Sequence, residues 1–198
     1  MGAEGAKVGI LVEDLYQDQE VWYPFYRLKE AGATVTVIGT GRNRVFKSKH
    51  GYEIAADTEA GRVHGRDFDA LIVPGGYAPD LLRRDPAMVR LVKEADAAGK
   101  VIAAICHGGW LLCSAGTFKG KTATCFSAIK DDIVNAGAKY VDQEVARDGN
   151  LITSRKPDDL PAFMKAILAA LGERTGGASK SGRPAAGAQD ARKKAVGV

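Results

Sequence analysis

The run Val101-Ile102-Ala103-Ala104-Ile105 is apolar without a break, ends on Cys106-His107-Gly108-Gly109, and continues through Trp110, Leu111, Leu112 and Ala115 at helical spacing. A continuous apolar run of this length is buried on both faces, the mark of an interior parallel strand. Fed straight into a helix, it commits the chain to a strand–turn–helix unit with a cysteine at the bend. Ala104 and Gly108 keep the bend free of bulk, so the elbow can lift the sulfur off the sheet toward the helix N-terminus, where a thiolate is favoured. A merely structural cysteine would need none of this setting.

Four further runs read as buried strands: Lys7–Val12, Thr34–Gly39, Ala70–Pro74 and Thr122–Phe126. Helical patterns separate them. Asp18 opens a helix with Val21, Phe25 and Leu28 on one face, bent at Pro24. Asp85-Pro86 opens another that stops at Gly99, and Ser127 a third that stops at Gly137. Pro157-Asp158-Asp159 begins the last, with Leu160, Phe163, Met164, Ile167, Leu168 and Leu171 inward before Gly172. Val45-Phe46 with Tyr52–Ile54, and Val145 with Leu151–Thr153 across Asp148-Gly149, read as short hairpins added to the sheet. The alternation predicts an α/β fold, a flavodoxin-like doubly wound parallel sheet sandwiched by helices, in a single domain over residues 1–172.

At 198 residues, 45% hydrophobic and 26% charged, the chain supports one sizeable core. The net charge of +4 is unevenly placed. Residues 1–171 carry 22 basic and 22 acidic side chains, whereas 172–198 carry six basic and two acidic ones. The segment 173–198 is rich in Gly, Ala and Ser and reads as a disordered basic tail. It has no aromatic residue to accompany its charge, so no nucleic-acid role is expected. No apolar stretch approaches a membrane span. Val8–Val12 is too short for a secretory segment, and Ala6 stands where a myristoylation motif at Gly2 needs Ser or Thr. Three cysteines give no disulfide framework, so a reducing cytoplasm is the expected location. Cys113 lies two helical turns, about 10 Å, beyond Cys106, past the roughly 7 Å reach of a disulfide; Cys113 and Cys125 read as core.

A sheet of this kind binds ligands at the carboxyl ends of its strands. Glu13 follows the first strand, Pro74-Gly75-Gly76 the third and Cys106 the fourth. Gly75-Gly76 leaves backbone N–H groups free to face a substrate oxygen. A nucleophile, a proton-handling acid and an oxyanion site are thereby expected on one rim. No Cys/His set has metal-ligand spacing. Gly39-Thr40-Gly41 lacks the third glycine of a dinucleotide fingerprint, so neither a metal nor another cofactor is expected. No His-x-Glu pair follows the cysteine, which argues against a glutamine amidotransferase, and His50 and His64 read as loop residues.

These residues resemble the ThiJ/PfpI superfamily, in particular its PfpI-like branch, whose members include proteins called intracellular proteases, deglycases and glyoxalases. The resemblance spans Lys7 to Leu171. It rests on Glu13, Tyr23-Pro24 with Arg27-Leu28, Lys49-His50-Gly51, Pro74-Gly75-Gly76, Ile105-Cys106-His107-Gly108, Ile129–Asp132, Asn135-Ala136-Gly137, and Ser154-Arg155 with Asp159-Leu160. It implies a hydrogen bond from Glu13 to the Cys106 sulfur, and catalytic roles for Cys106, His107, Glu13 and Asp80. It also implies a homodimer or higher oligomer in which Asp80 of one copy orients His107 of another. Three positions depart from the pattern. Gly109-Trp110 replaces a proline, which makes Trp110 part of the pocket wall. Asp80 is shorter than the usual Glu, and Phe126 replaces an aromatic hydroxyl. The activity implied is cofactor-independent cysteine chemistry on α-oxoaldehydes such as methylglyoxal or their early adducts, with Gly75 and Gly76 binding the oxyanion. A cysteine peptidase and a non-catalytic redox-sensing or chaperone-like stress protein are the alternatives.

Overall fold

Alternate residues of each apolar run feed opposite faces of one sheet, and the helices divide accordingly. The computed structural model describes residues 2–180, with side chains to Arg174. In order, the elements are β1 (Lys7–Leu11), α1 (Asp18–Glu30), β2 (Thr34–Gly39), β3 (Val45–Lys47), β4 (Glu53–Ala55), β5 (Thr58–Glu59), β6 (Ala70–Val73), α2 (Ala78–Leu82), α3 (Pro86–Ala97), β7 (Val101–Ile105), α4 (Gly109–Ala115), β8 (Thr122–Ala123), α5 (Lys130–Asn135), β9 (Lys139–Tyr140), β10 (Val145–Asp148), β11 (Leu151–Ser154) and α6 (Leu160–Lys180). The main sheet runs β10-β11-β7-β6-β1-β2-β5, parallel except for β10. Its five longer parallel strands thus follow the flavodoxin-like order, with the switch point between β1 and β6.

On one face Ile10, Ile72, Ala103, Ile105 and Ile152 pack against Val21 and Leu28 of α1 and Phe163, Met164 and Ile167 of α6. On the other, Leu71, Val73, Ile102, Ala104 and Leu151 pack against Met88, Leu91 and Val92 of α3, Leu111 and Leu112 of α4, and Ile133 of α5. Asp85 caps α3 by accepting from the Ala87 amide at 2.7 Å, and Pro86 fills the first helical position, where its missing N–H costs nothing.

Two expectations change. The run Thr122–Phe126 is not a strand of the main sheet: only Thr122–Ala123 is extended, paired with β9 in a separate two-stranded sheet. The fifth parallel strand is β11, whose outer edge is already taken by antiparallel β10, so Thr124 reaches β11 only through its amide and the Thr153 hydroxyl. The hairpin read at Val145–Thr153 is therefore real, but it belongs to the main sheet. The last helix also runs past Gly172 to Lys180. Glu173 accepts two hydrogen bonds from the Arg147 guanidinium, at 2.6 and 3.0 Å, and Arg174 donates to the Gly99 carbonyl. The rest of the expected basic tail, 181–198, lies outside the described residues.

Candidate active site

Cys106 sits where β7 ends, in a single turn (106–108) before α4, with φ at +60°, a left-handed backbone that a non-glycine residue adopts only under constraint from its surroundings. The constraint is close packing. A Cβ on Gly108 would lie 2.3 Å from the Val73 carbonyl oxygen. One on Gly75 would meet Glu20 Oε2, the Cys106 Cβ and the His107 amide within 2.7–2.9 Å. The two glycines let β6 and β7 deliver the elbow and the Gly-Gly turn to one point.

The acid at that point is Glu20. It lies in the first turn of α1, wholly buried, and its Oε2 accepts from the Gly75 amide at 2.6 Å while the carboxyl interacts with the Cys106 thiol. Burial pushes Glu20 up to about 7, against the pull of the Gly75 amide, the thiol and the Lys49 ammonium. Burial, and next the Glu20 charge, push the Cys106 thiol up to about 12, although the His107 and Gly76 amides favour its anion. Burial thus works against the thiolate that the elbow and helix terminus were expected to favour. Cys113 and Cys125 are raised by burial as well, to about 11 and about 12. A buried thiol beside a carboxyl near 7 can still become nucleophilic, because the carboxylate can accept its proton as the sulfur attacks.

Glu13, expected to hold this place, is buried elsewhere. Its carboxylate accepts from the Thr40 hydroxyl and, at 3.2 Å, from the Asp14 amide, tying the end of β1 to the segment after β2. It is not brought to the sulfur. Sequence reasoning missed Glu20, yet a signal existed: Glu20 falls on the inward face of α1 with Val21, Pro24 and Leu28, and an acid among apolar residues on a buried face requires a special partner.

The other expected residues are placed as follows. His107 Nδ1 lies 3.2 Å from the Cys106 sulfur, and its ring stacks on Phe126 at 4.9 Å and meets Trp110 edge-on at 5.1 Å. Burial, and next the Lys49 charge, push His107 below its ordinary value and favour the neutral imidazole. Trp110 donates its indole N–H to Asp132 at 2.8 Å and gives the site an apolar wall. The Gly75 amide is already occupied by Glu20, which leaves the Gly76 and His107 amides as the donors at the sulfur. Asp80 pairs with Arg84, and no bond joins it to His107 within the chain. Above Cys106 lies a cavity of about 460 Å³, bounded among others by Leu15, Gln17, Lys49, Tyr77 and Pro157. A larger groove of about 670 Å³ over Trp22, Tyr23 and Tyr26 shares Pro157 with it but carries no nucleophile.

A sequence model described as the DJ-1/PfpI family matches residues 6–170. A protein of Pyrococcus abyssi named a deglycase is 43% identical over 162 residues, 82% of this chain and 97% of its own. Protein/nucleic acid deglycase 2 of Escherichia coli is 39% identical over 168 residues, 84% of this chain and 98% of its own. The crystal structure of a two-domain protein from Anabaena variabilis, with DJ-1/ThiJ/PfpI-like and ferritin-like domains, matches with a TM-score of 0.82 at 46% identity. The match covers 84% of this chain and 48% of that one. The chain belongs to the DJ-1/PfpI family.

Proposed function

We propose that this protein is a cofactor-independent cysteine enzyme acting on α-oxoaldehydes such as methylglyoxal, or on their early glycation adducts, in protection against carbonyl stress. The observation that carries the proposal is the pairing of buried Glu20 with half-buried Cys106 at a strained elbow, opening into a cavity of small-molecule size. About 40% identity over nearly the whole length of proteins named deglycases points the same way.

The sulfur adds to the aldehyde carbon while Glu20 takes the thiol proton, giving a hemithioacetal whose oxyanion meets the Gly76 and His107 amides. Glu20 returns the thiol proton to that oxyanion and, again a carboxylate, carries the proton of the former aldehyde carbon to the neighbouring ketone carbon, while the hydroxyl proton passes to the ketone oxygen. The first carbon is oxidised to a thioester and the second reduced to an alcohol. Water hydrolyses the thioester, so methylglyoxal plus water becomes lactate and the cysteine is restored. No outside oxidant is needed. Neutral His107 can activate that water. Amide hydrolysis would further require a protonated imidazole for the departing amine, a form that burial and then Lys49 disfavour in His107. In an oligomer, Asp80 of a second copy is the carboxylate we assign to it.

The test is lactate formation from methylglyoxal beside cleavage of a fluorogenic peptide. The wild type should form lactate, Cys106→Ala should form none, and the peptide should stay intact. Lactate formation surviving in Cys106→Ala, or cysteine-dependent peptide cleavage alone, would overturn the reading.

A further inference from the structure

Two side-chain acceptors beside the cavity, Gln17 Oε1 and Glu20 Oε1, are buried with no hydrogen-bond partner. The carboxyl of Glu20 is explained by its exchange with the thiol; Gln17 is not. Gln17 is the residue before α1, and its side chain makes no cap bond. Its backbone is fixed at both ends instead. Its N–H donates to the Gly75 carbonyl at 3.2 Å, and its carbonyl accepts from the Glu20 amide at 3.1 Å. The Gln17 backbone is thus fixed to the Gly-Gly turn, on the wall of the cavity that Cys106 also lines, with its side-chain carbonyl oxygen unspent. A buried acceptor without a donor is unfavourable, and a ligand that supplies the donor recovers the loss.

The rest of the cavity narrows what that donor is. Leu15, Phe126 and Pro157 are apolar, the Trp110 N–H is taken by Asp132, His107 faces the sulfur, and neither Lys49 nor Tyr77 bonds the Gln17 oxygen. A free α-oxoaldehyde carries only acceptors. Its adduct with an amine carries an N–H on the very carbon the sulfur attacks.

We propose that Gln17 is a specificity residue whose side-chain oxygen accepts the N–H of a carbinolamine, directing the site to aldehyde already attached to an amine rather than to a thiol. The inference rests on the aldehyde-directed reading above. In the adduct the S–C bond forms as the C–N bond breaks. The thiol proton, held by Glu20, passes to the departing amine, and the product is the same hemithioacetal plus free amine.

The experiment compares three substrates at equal free aldehyde: methylglyoxal alone, its carbinolamine with N-acetyllysine, and its hemithioacetal with N-acetylcysteine, which has sulfur where the first adduct has N–H. Wild type should release lactate faster from the amine adduct than from free aldehyde. Gln17→Met should lower kcat/KM for the amine adduct about 5- to 10-fold, the worth of one ordinary hydrogen bond, and leave the other two within twofold. Gln17→Glu, which keeps an acceptor, should restore the preference. A Gln17→Met variant that slows all three substrates equally, or an amine adduct that adds nothing to the free-aldehyde rate, would overturn the assignment of Gln17 while leaving the aldehyde chemistry standing. Absence of turnover with all three would instead remove the underlying reading. Melting of the variant near the wild-type temperature separates these results from misfolding.

Discussion

Glu20 and Glu13 are both wholly buried acids at one end of the sheet, and their partners separate their fates. Glu13 accepts from two donors, a hydroxyl and an amide; Glu20 has one amide, one thiol and an oxygen without a geometric partner. An under-solvated carboxyl prefers its proton, and that preference has a stability consequence. Glu20 moves from its ordinary 4.5 to about 7 on folding. Its contribution is therefore fully present below pH 4.5 and is lost as the pH rises through 7. The shift corresponds to about 3 kcal/mol at most. Glu20→Gln cannot ionise, so its stability relative to wild type should rise by roughly that amount between pH 5 and pH 8. Denaturant unfolding of both proteins at the two pH values measures it, and a difference that does not change with pH would contradict the account. The acid following the first strand was legible as a type and not as a residue. Glu13 directly follows the strand, but only the turn into α1 determines which carboxyl swings under Gly75.

At the scale of elements, the elbow was read correctly because its demands are local: a strand, a residue in a left-handed turn, and small neighbours. Gly108 shows how firm those demands are. Its missing Cβ would press on the Val73 carbonyl, which is held in the β6 ladder and cannot move aside. Gly108→Ala should cost about 2 kcal/mol or more from overpacking, seen as a lower denaturation midpoint with the same slope; an unchanged midpoint would show that the turn is looser than this. The strand read at Thr122–Phe126 failed for a non-local reason. Apolar character says that a segment is buried, not which edge it pairs with. The choice between it and Leu151–Ser154 was made by β10, which reaches β11 through the Gly149 turn and closes that edge.

At the scale of the whole molecule, the 2-1-3-4-5 order of the long parallel strands brings Gly75, Cys106 and Glu20 together from three separate elements, although Cys106 lies 86 positions from Glu20 in sequence. Among the described residues no helix is long and apolar enough to cross a membrane. Among the described residues no carboxylate bonds His107, and an assembly supplying Asp80 would add one. Mixing Cys106→Ala with Asp80→Ala chains, each inactive, should then restore measurable turnover. Verified subunit exchange without recovery would place Asp80 outside the chemistry of a neighbouring site. The central claim, that Glu20 is the proton carrier for Cys106, is tested most directly by the pH profile of kcat/KM for methylglyoxal in wild type and Glu20→Gln. The pair becomes competent when it loses one proton, wherever the remaining one resides. Wild-type kcat/KM should therefore rise with pH through about 7 and level off. Glu20→Gln should be slower by about 100-fold or more at pH 8, with a rate that keeps climbing toward the high thiol pKa. A variant that keeps the wild-type rate and the rise near 7 would contradict the account.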